Sequence, residues 1–550
     1  MKRRILSFLS VLLVIALFAG CSFSGNSEQS NGTASGNSAA PNAGGSATSS
    51  AVTMYVPSEI LSLNQSAASD DISFNVLTNS FEGLYRLDKD NQPQLALAKD
   101  CQISEDKLTY TFTLKDGIKW SNGDPITSKD FKFAWLKQMT ADATNGYAFI
   151  MTDYIVNGAE YSQNKAKAED VGIETPDDKT LIVKLKAPTP YFLRLTAFVL
   201  FYPLNEKFVT EQGSNYGVSV ENMPFSGPFI ISQFDTATGA TFKKNPDYWD
   251  AANVKLDTFS IKVIKDQGTA LNLYKSGELT RVNLTSADVA ANKDNSEFSS
   301  ENSFRTVYLQ FNTTADGTKN QNIRKALDLA IDRKALTDTI LSNGSVAATG
   351  LIPTMMNGLN GKSFREMEGD VTTFDAGKAK EYWDKGVSEL GAAPKISLLL
   401  EDTSEAKDVA TFLQSEFKKN LGAEITIDSK TKKARNALMD GDQYQMAITG
   451  WGADYDDAMT YLDLWTGHTP YRGNYNSPDY DKLISSAKTE TDDTKRADLL
   501  LSAEKKLLSE DNILTPLYFN GYAYLTKPNV ADIITHPYGA SLDMKYAYVK

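Results

Sequence analysis

Leu108-Thr109-Tyr110-Thr111-Phe112-Thr113-Leu114 alternates apolar and threonine side chains, and Lys119-Trp120-Ser121-Asn122-Gly123-Asp124-Pro125 follows it. Beyond these come Ser128, then Phe131, Ala134, Trp135 and Met139. The first run has the period of two of a half-buried strand. Asn122-Gly123 is a turn signal. The last run is a helical stripe, with Ser128 in the place of its N-cap. A chain that changes period this quickly is mixed α and β. The same reading extends outward. Leu181, Val183 and Leu185 repeat the strand pattern, and Asn322 opens a helix carrying Ile323, Ala326, Leu327, Ala330 and Ile331 on one face. Further turn signals stand at Asn157-Gly158, Asn343-Gly344 and Asn520-Gly521. No short repeat period recurs, which excludes a solenoid.

The chain has 550 residues, enough for roughly three or four domain-sized units with large cores. Hydrophobic residues make up 41% and charged residues 23%, ordinary globular values that fit neither a wholly disordered chain nor a polytopic membrane protein. The formal net charge of -13 supplies no basic field for nucleic acid, so no nucleic-acid partner is expected. Only His468 and His536 offer imidazole, and they are far apart in sequence, so no metal or other cofactor is expected.

Motifs of catalysis are missing from the sequence. There is no G-x-S-x-G, H-E-x-x-H or G-x-G-x-x-G after the first fifty residues. Gly361-Lys362-Ser363 imitates the end of a phosphate-binding loop, but Met356 stands where the first glycine belongs, so it reads as a turn. Asp454, Asp456 and Asp463 are spaced like calcium ligands, yet Ala458 and Met459 occupy positions that need an oxygen ligand and a glycine. Nothing singles out an acid pair for glycoside hydrolysis. The protein is therefore expected not to be an enzyme. Its 25 Tyr, 26 Phe and 6 Trp are assigned mainly to core, though aromatics with a polar edge also suit the wall of a ligand cleft.

At the start, Lys2, Arg3 and Arg4 precede an apolar stretch from Ile5 to Phe18, then Ala19, Gly20 and Cys21. This is a secretory signal, too short to span a bilayer. It resembles a bacterial lipoprotein signal, with Phe18 where leucine is usual and Leu17 beside it. That resemblance makes residues 1–20 a signal peptide and Cys21 the lipid anchor. Residues 21–50, rich in Ser, Gly and Asn, cannot bury enough surface to offset ordering and are expected to be a flexible tether. With Cys21 anchored, Cys101 has no partner for an intrachain disulfide and is read as a buried small apolar residue. The body is then expected on the extracytoplasmic face of a bacterial cell membrane, at a Gram-positive cell surface rather than in a periplasm.

Several stretches together resemble the peptide-binding extracytoplasmic solute receptors of ATP-binding-cassette importers, solute-binding protein family 5. They are Asn79-Ser80-Phe81-Glu82-Gly83-Leu84, the Lys119–Pro125 segment with Thr127 and Asp130-Phe131, Ser226-Gly227-Pro228-Phe229 and Asn245-Pro246-Asp247-Tyr248-Trp249. Ile323-Arg324-Lys325-Ala326-Leu327 with Ala330-Ile331-Asp332-Arg333, and Gly450-Trp451-Gly452-Ala453-Asp454-Tyr455, complete them. Departures are Thr280 where an aspartate is usual and Ala458 in place of a common proline.

The resemblance implies an α/β fold of the hinged periplasmic-binding-protein type (class II), with two lobes and an extra subdomain inserted in the first. Lobe I is placed at 51–81, 207–303 and 521–550, the inserted subdomain at 82–206, and lobe II at 304–520. It implies an oligopeptide ligand between the lobes and an ABC permease as partner, with the receptor acting as a monomer. Asp454 would meet the peptide's α-ammonium, with Trp451 walling the adjacent pocket and Gly450 and Gly452 allowing close backbone approach. Tyr147 would lie near the peptide's amino end, and Asp70 and Asp71, in the loop Ser69–Ile72, alongside its backbone. Basic residues that can hold the peptide carboxylate in enterobacterial relatives align with Ile448, Ala406 and Leu341. Fixed carboxylate capture there is expected to be lost, with Lys407 the nearby substitute, and peptides longer than about five residues accepted through backbone pairing. Competing expectations are a receptor for a peptide pheromone, glycan, haem or nickel chelate, or a lipid-anchored hydrolase.

Overall fold

Alternation becomes structure at Thr109–Leu114, where Tyr110, Phe112 and Leu114 are buried and the intervening threonines are half-buried. The structure is a computed structural model that describes residues 52–140, 147–467 and 469–550. The signal peptide, tether and Cys21 lie outside the described residues, as does Gly146 beside Tyr147.

Among the described residues three sheets dominate. The first orders Val52–Val56, Thr258–Val263, Gly239–Lys244 and Phe229–Asp235, its first pair parallel and the others antiparallel. The second, seven-stranded, orders Arg281–Asn283, Leu514–Thr526, Phe298–Phe311, Met446–Gly452, Ile396–Glu401 and Ile425–Lys430, with Val346–Ala347 pairing Leu514–Thr526 off that path. The third is an antiparallel sheet of Ala98–Ile103, Thr109–Leu114, Thr180–Lys184 and Ile173–Glu174. Phe298–Phe311 and Leu514–Thr526 run antiparallel over a long course, and their register shifts between Asn302 and Thr306.

Helices cover these sheets through apolar stripes. Ser404–Leu421 buries Val409, Leu413 and Phe417 at four-residue spacing, each side chain contributing about 1.5–3 kcal/mol by leaving water. They join Ile323, Leu327, Ile396 and Leu398 in one core. A larger core gathers Trp120, Phe131 and Trp135 with Tyr461, Trp465 and Tyr480. The residues 304–520 thus contribute to both cores.

Local details differ from the sequence reading where tertiary contacts decide. The N-cap of Ser128–Met139 is Thr127, not Ser128. Thr127 N and Oγ1 both donate to Asp130 Oδ2, closing a capping box, while the Ser128 hydroxyl donates to Asp177 O at 2.5 Å. Asn322 is likewise inside its helix, Gln321–Leu329, whose cap is Asn320. Asn322 instead donates to Glu389. Asn520-Gly521 is no turn but lies within Leu514–Thr526. There a Cβ on Gly521 would sit 2.2 Å from the Gly344 carbonyl carbon, so glycine serves a close backbone approach. Cys101 is half-buried rather than buried, its thiol pushed up to about 11 by burial.

Candidate ligand-binding site

Strand Met446–Gly452 sets Gly450, Trp451 and Gly452 opposite Val307, Thr306 and Arg305. Past its end, Ala453 N donates to Phe304 O at 2.7 Å and Gly539 N donates to Ala453 O at 3.2 Å. These bonds hold Ala453, the residue before Asp454, by both its N–H and its carbonyl. Thr460 adds a clamp, its hydroxyl accepting from Asp454 N at 3.3 Å and from Trp451 Nε1 at 3.4 Å.

Asp454 is buried, and its Oδ1 accepts from the Tyr147 hydroxyl at 3.4 Å. Among the described residues, no lysine, arginine or histidine nitrogen lies within 4.0 Å of its carboxylate. Burial pushes the carboxyl up to about 7, and the hydrogen bond from Tyr147 offsets only part of that rise. Burial and the nearby Asp454, Asp71 and Asp70 raise the Tyr147 hydroxyl well above its ordinary value, so it stays protonated as a donor at neutral pH. Its ring meets Phe74 edge-on at 6.0 Å and stacks on Phe149 at 5.8 Å.

These groups face a cavity of about 1010 Å³. Asp454, Trp451, Gly450, Gly452, Tyr147, Asp70 and Asp71 all line it. Asp70 and Asp71 are not simply loop residues. Asp70 caps helix Asp71–Ser80, its Oδ1 accepting from Ser73 N at 2.9 Å, and Asp71 is the first residue of that helix. The glycines differ as well. A Cβ on Gly450 would lie 2.9 Å from Thr306 O, so its smallness serves the strand pairing, whereas Gly452 has only Arg305 Cβ at 4.0 Å.

Sequence reasoning missed the cavity's basic groups: Arg281, Arg305, Lys432, Arg435 and Arg472 line it. Ile448 and Leu341 are buried in the core beside Ser404–Leu421, Ala406 packs against that core, and none of the three lines the cavity. Lys407 pairs with Asp402 at the surface and does not line it either. Ile448 shares its strand with Gly450, Trp451 and Gly452 but is buried in the core, so these positions do not bear on how the cavity would meet a carboxylate. No motif marked the five basic residues, which are scattered over the chain: Arg281 and Arg305 sit on strands, Lys432 and Arg435 on helix Lys432–Asp440 and Arg472 on the short helix Pro470–Arg472, and only the tertiary fold brings them to one cavity. Among the described residues there is no cluster of three metal-ligating side chains and no helix long and apolar enough to cross a membrane.

Residues 92–473 match the family described as bacterial extracellular solute-binding proteins, family 5. The chain belongs to that family. Its members are solute-binding proteins, and the family fold is the two-lobed α/β arrangement of periplasmic-binding-protein type. Among its relatives, the dipeptide-binding protein of Lactococcus lactis subsp. cremoris is 34% identical over 90% of this chain and 94% of that protein. The oligopeptide-binding protein OppA of Bacillus subtilis is 30% identical over the full length of both. The structure of Listeria monocytogenes OppA bound to peptide matches with a TM-score of 0.82 at 35% identity, covering 92% of this chain and 99% of that one.

Proposed function

We propose that this protein is a lipid-anchored extracytoplasmic receptor that binds oligopeptides between its lobes and delivers them to an ABC permease. One observation carries the reading: a buried carboxylate on the wall of a large cavity, hydrogen-bonded to Tyr147 and without a cationic partner among the described residues. A charge in that setting is costly until a counter-charge arrives. The α-ammonium of a peptide is such a counter-charge, and it is present whatever the peptide's sequence. The names of the relatives, dipeptide- and oligopeptide-binding proteins, point the same way. Trp451 then walls the pocket beside the ammonium, and Asp70 and Asp71 lie along the ligand backbone.

Lobe I comprises 51–81, 207–303 and 521–550, the inserted subdomain 82–206, and lobe II 304–520. The register shift between Asn302 and Thr306, in two strands that cross together, supports a hinge there. Binding closes the lobes and excludes water, and the closed form is what the permease reads. Cys21 carries the lipid that holds the receptor at a Gram-positive surface, as a monomer that leaves its ligand chemically unchanged.

Two measurements test this. Mass spectrometry of ligand released from the purified protein is expected to show a mixture of short peptides. Calorimetry is expected to give a free-amine peptide at least tenfold tighter than its N-acetylated form. Equal affinities would remove the ammonium from the account.

A further inference from the structure

Arg472 stands out among the cavity's cations. Its guanidinium lies 5.4 Å from the Trp451 ring centroid, 5.7 Å from that of Trp465 and 5.1 Å from that of Tyr471. Its Nη1 donates to the Tyr308 hydroxyl at 3.1 Å. Among the described residues, no carboxylate oxygen lies within 4.0 Å of it. Arg86, Arg333, Arg365 and Arg496 are paired with carboxylates, whereas Arg281, Arg305 and Arg324, like Arg472, have none within 4.0 Å among the described residues; what sets Arg472 apart is the three rings around its head. The aromatic contacts orient the planar head but satisfy none of its N–H donors, and Tyr308 satisfies one of five. What remains is a positioned fork beside Trp451, three residues from Asp454, on the cavity wall.

We propose that Arg472 makes the site selective for peptides with an aspartate or glutamate near their amino end. The inference rests on the peptide-receptor reading and deepens it. With the ammonium at Asp454, the next side chains lie against Trp451, and a carboxylate there takes the guanidinium in a two-pronged, charge-assisted pair. A neutral side chain in that place leaves the donors to water. A lysine brings like charge against the fork.

A carboxylate could also come from the C-terminus of a very short peptide, so the test uses tetrapeptide amides, which have none. Glutamate is moved through each position of tetra-alanine amide, and affinities are measured by calorimetry. Glutamate at one of the first three positions is expected to bind at least tenfold tighter than alanine there, and lysine more weakly than alanine. The readout is the Glu-to-Ala affinity ratio, which an overall loss of binding or folding does not mimic. It is expected to fall to within twofold of unity in Arg472→Gln and to be partly retained in Arg472→Lys. Tetra-alanine amide that binds with no glutamate preference at any position overturns the selectivity and leaves the receptor reading standing. The same holds for a preference that survives in Arg472→Gln, or one seen only with free-acid peptides. No binding by any peptide overturns both.

Discussion

Asp454 and Asp543 border the same small space between Arg86, Phe198 and Tyr538, and both are buried, yet their carboxylates are in opposite electrostatic situations. Asp543 takes Arg86 Nη2 at 2.7 Å and Arg86 Nε at 2.8 Å, and accepts from Lys545 N at 2.8 Å. Burial pushes its carboxyl up, but the Arg86 charge and the hydrogen bonds outweigh that and hold it well below the usual carboxylate range. Asp454 suffers the same burial with only a phenol for relief, and rises to about 7. Burial alone does not distinguish a structural acid from a functional one; the partner does. Asp543 is complete within the fold and ties Arg86, and through it Glu82 at 3.1 Å, to the C-terminal segment. Asp454 has no such cationic partner among the described residues, which is why we propose that its partner comes from outside the fold.

The contrast breaks most easily at Asp543. Asp543→Asn removes one of the two buried carboxylates paired with Arg86, leaving Glu82, and is expected to cost about 3–5 kcal/mol in urea unfolding. A loss under about 1 kcal/mol would mean the two aspartates are not different in kind. Asp454→Asn should behave in the opposite way. The affinity for a free-amine peptide falls by roughly 10- to 100-fold, while ligand-free stability at pH 8 holds or rises because a buried charge has been removed. A stability loss like that of Asp543→Asn would make Asp454 structural.

Protonation sharpens the comparison. A folded-state value of about 7 lies above the ordinary 3.8, so in the ligand-free protein Asp454 favours folding below its unfolded value. That contribution is lost as pH rises through about 7. A bound ammonium needs the ionised form, so affinity should rise with pH from 5.5 to 7, by up to about tenfold per unit, with proton release on binding. Asp454→Asn and N-acetylated peptides should be flat over that range, and a wild-type profile that is also flat counts against the assignment. The smallest effect is expected from Tyr147→Phe. Loss of one hydrogen bond weakens binding by roughly threefold to tenfold and moves the midpoint of the pH profile upward, since that bond lowers the Asp454 value. A midpoint that stays or falls would separate the two residues.

Much of the fold was legible because it rests on local periodicity. The alternation at Thr109–Leu114 and the stripe at Phe131, Ala134, Trp135 and Met139 are short-range patterns that burial then follows. Caps were legible only to within a residue or two, since Thr127 and Asn320 win over Ser128 and Asn322 through side-chain geometry that composition does not show. Asn520-Gly521 misled because the dipeptide that makes a turn also lets two backbones touch, and only Gly344 across the gap decides which.

The sequence by itself determined the class of fold and the family, and it singled out Asp454 as the candidate centre of the site, because the Gly450–Tyr455 motif is contiguous and survives as a string. Tertiary structure alone decided what that residue meets. It brought Tyr147 across 307 positions to the Asp454 carboxylate, kept cations beyond 4.0 Å of it among the described residues, and turned Arg472 toward Trp451. The reason is physical: a carboxylate's charge state and purpose depend on burial and on atoms within a few ångströms, and such neighbours come from elements that sequence order leaves far apart.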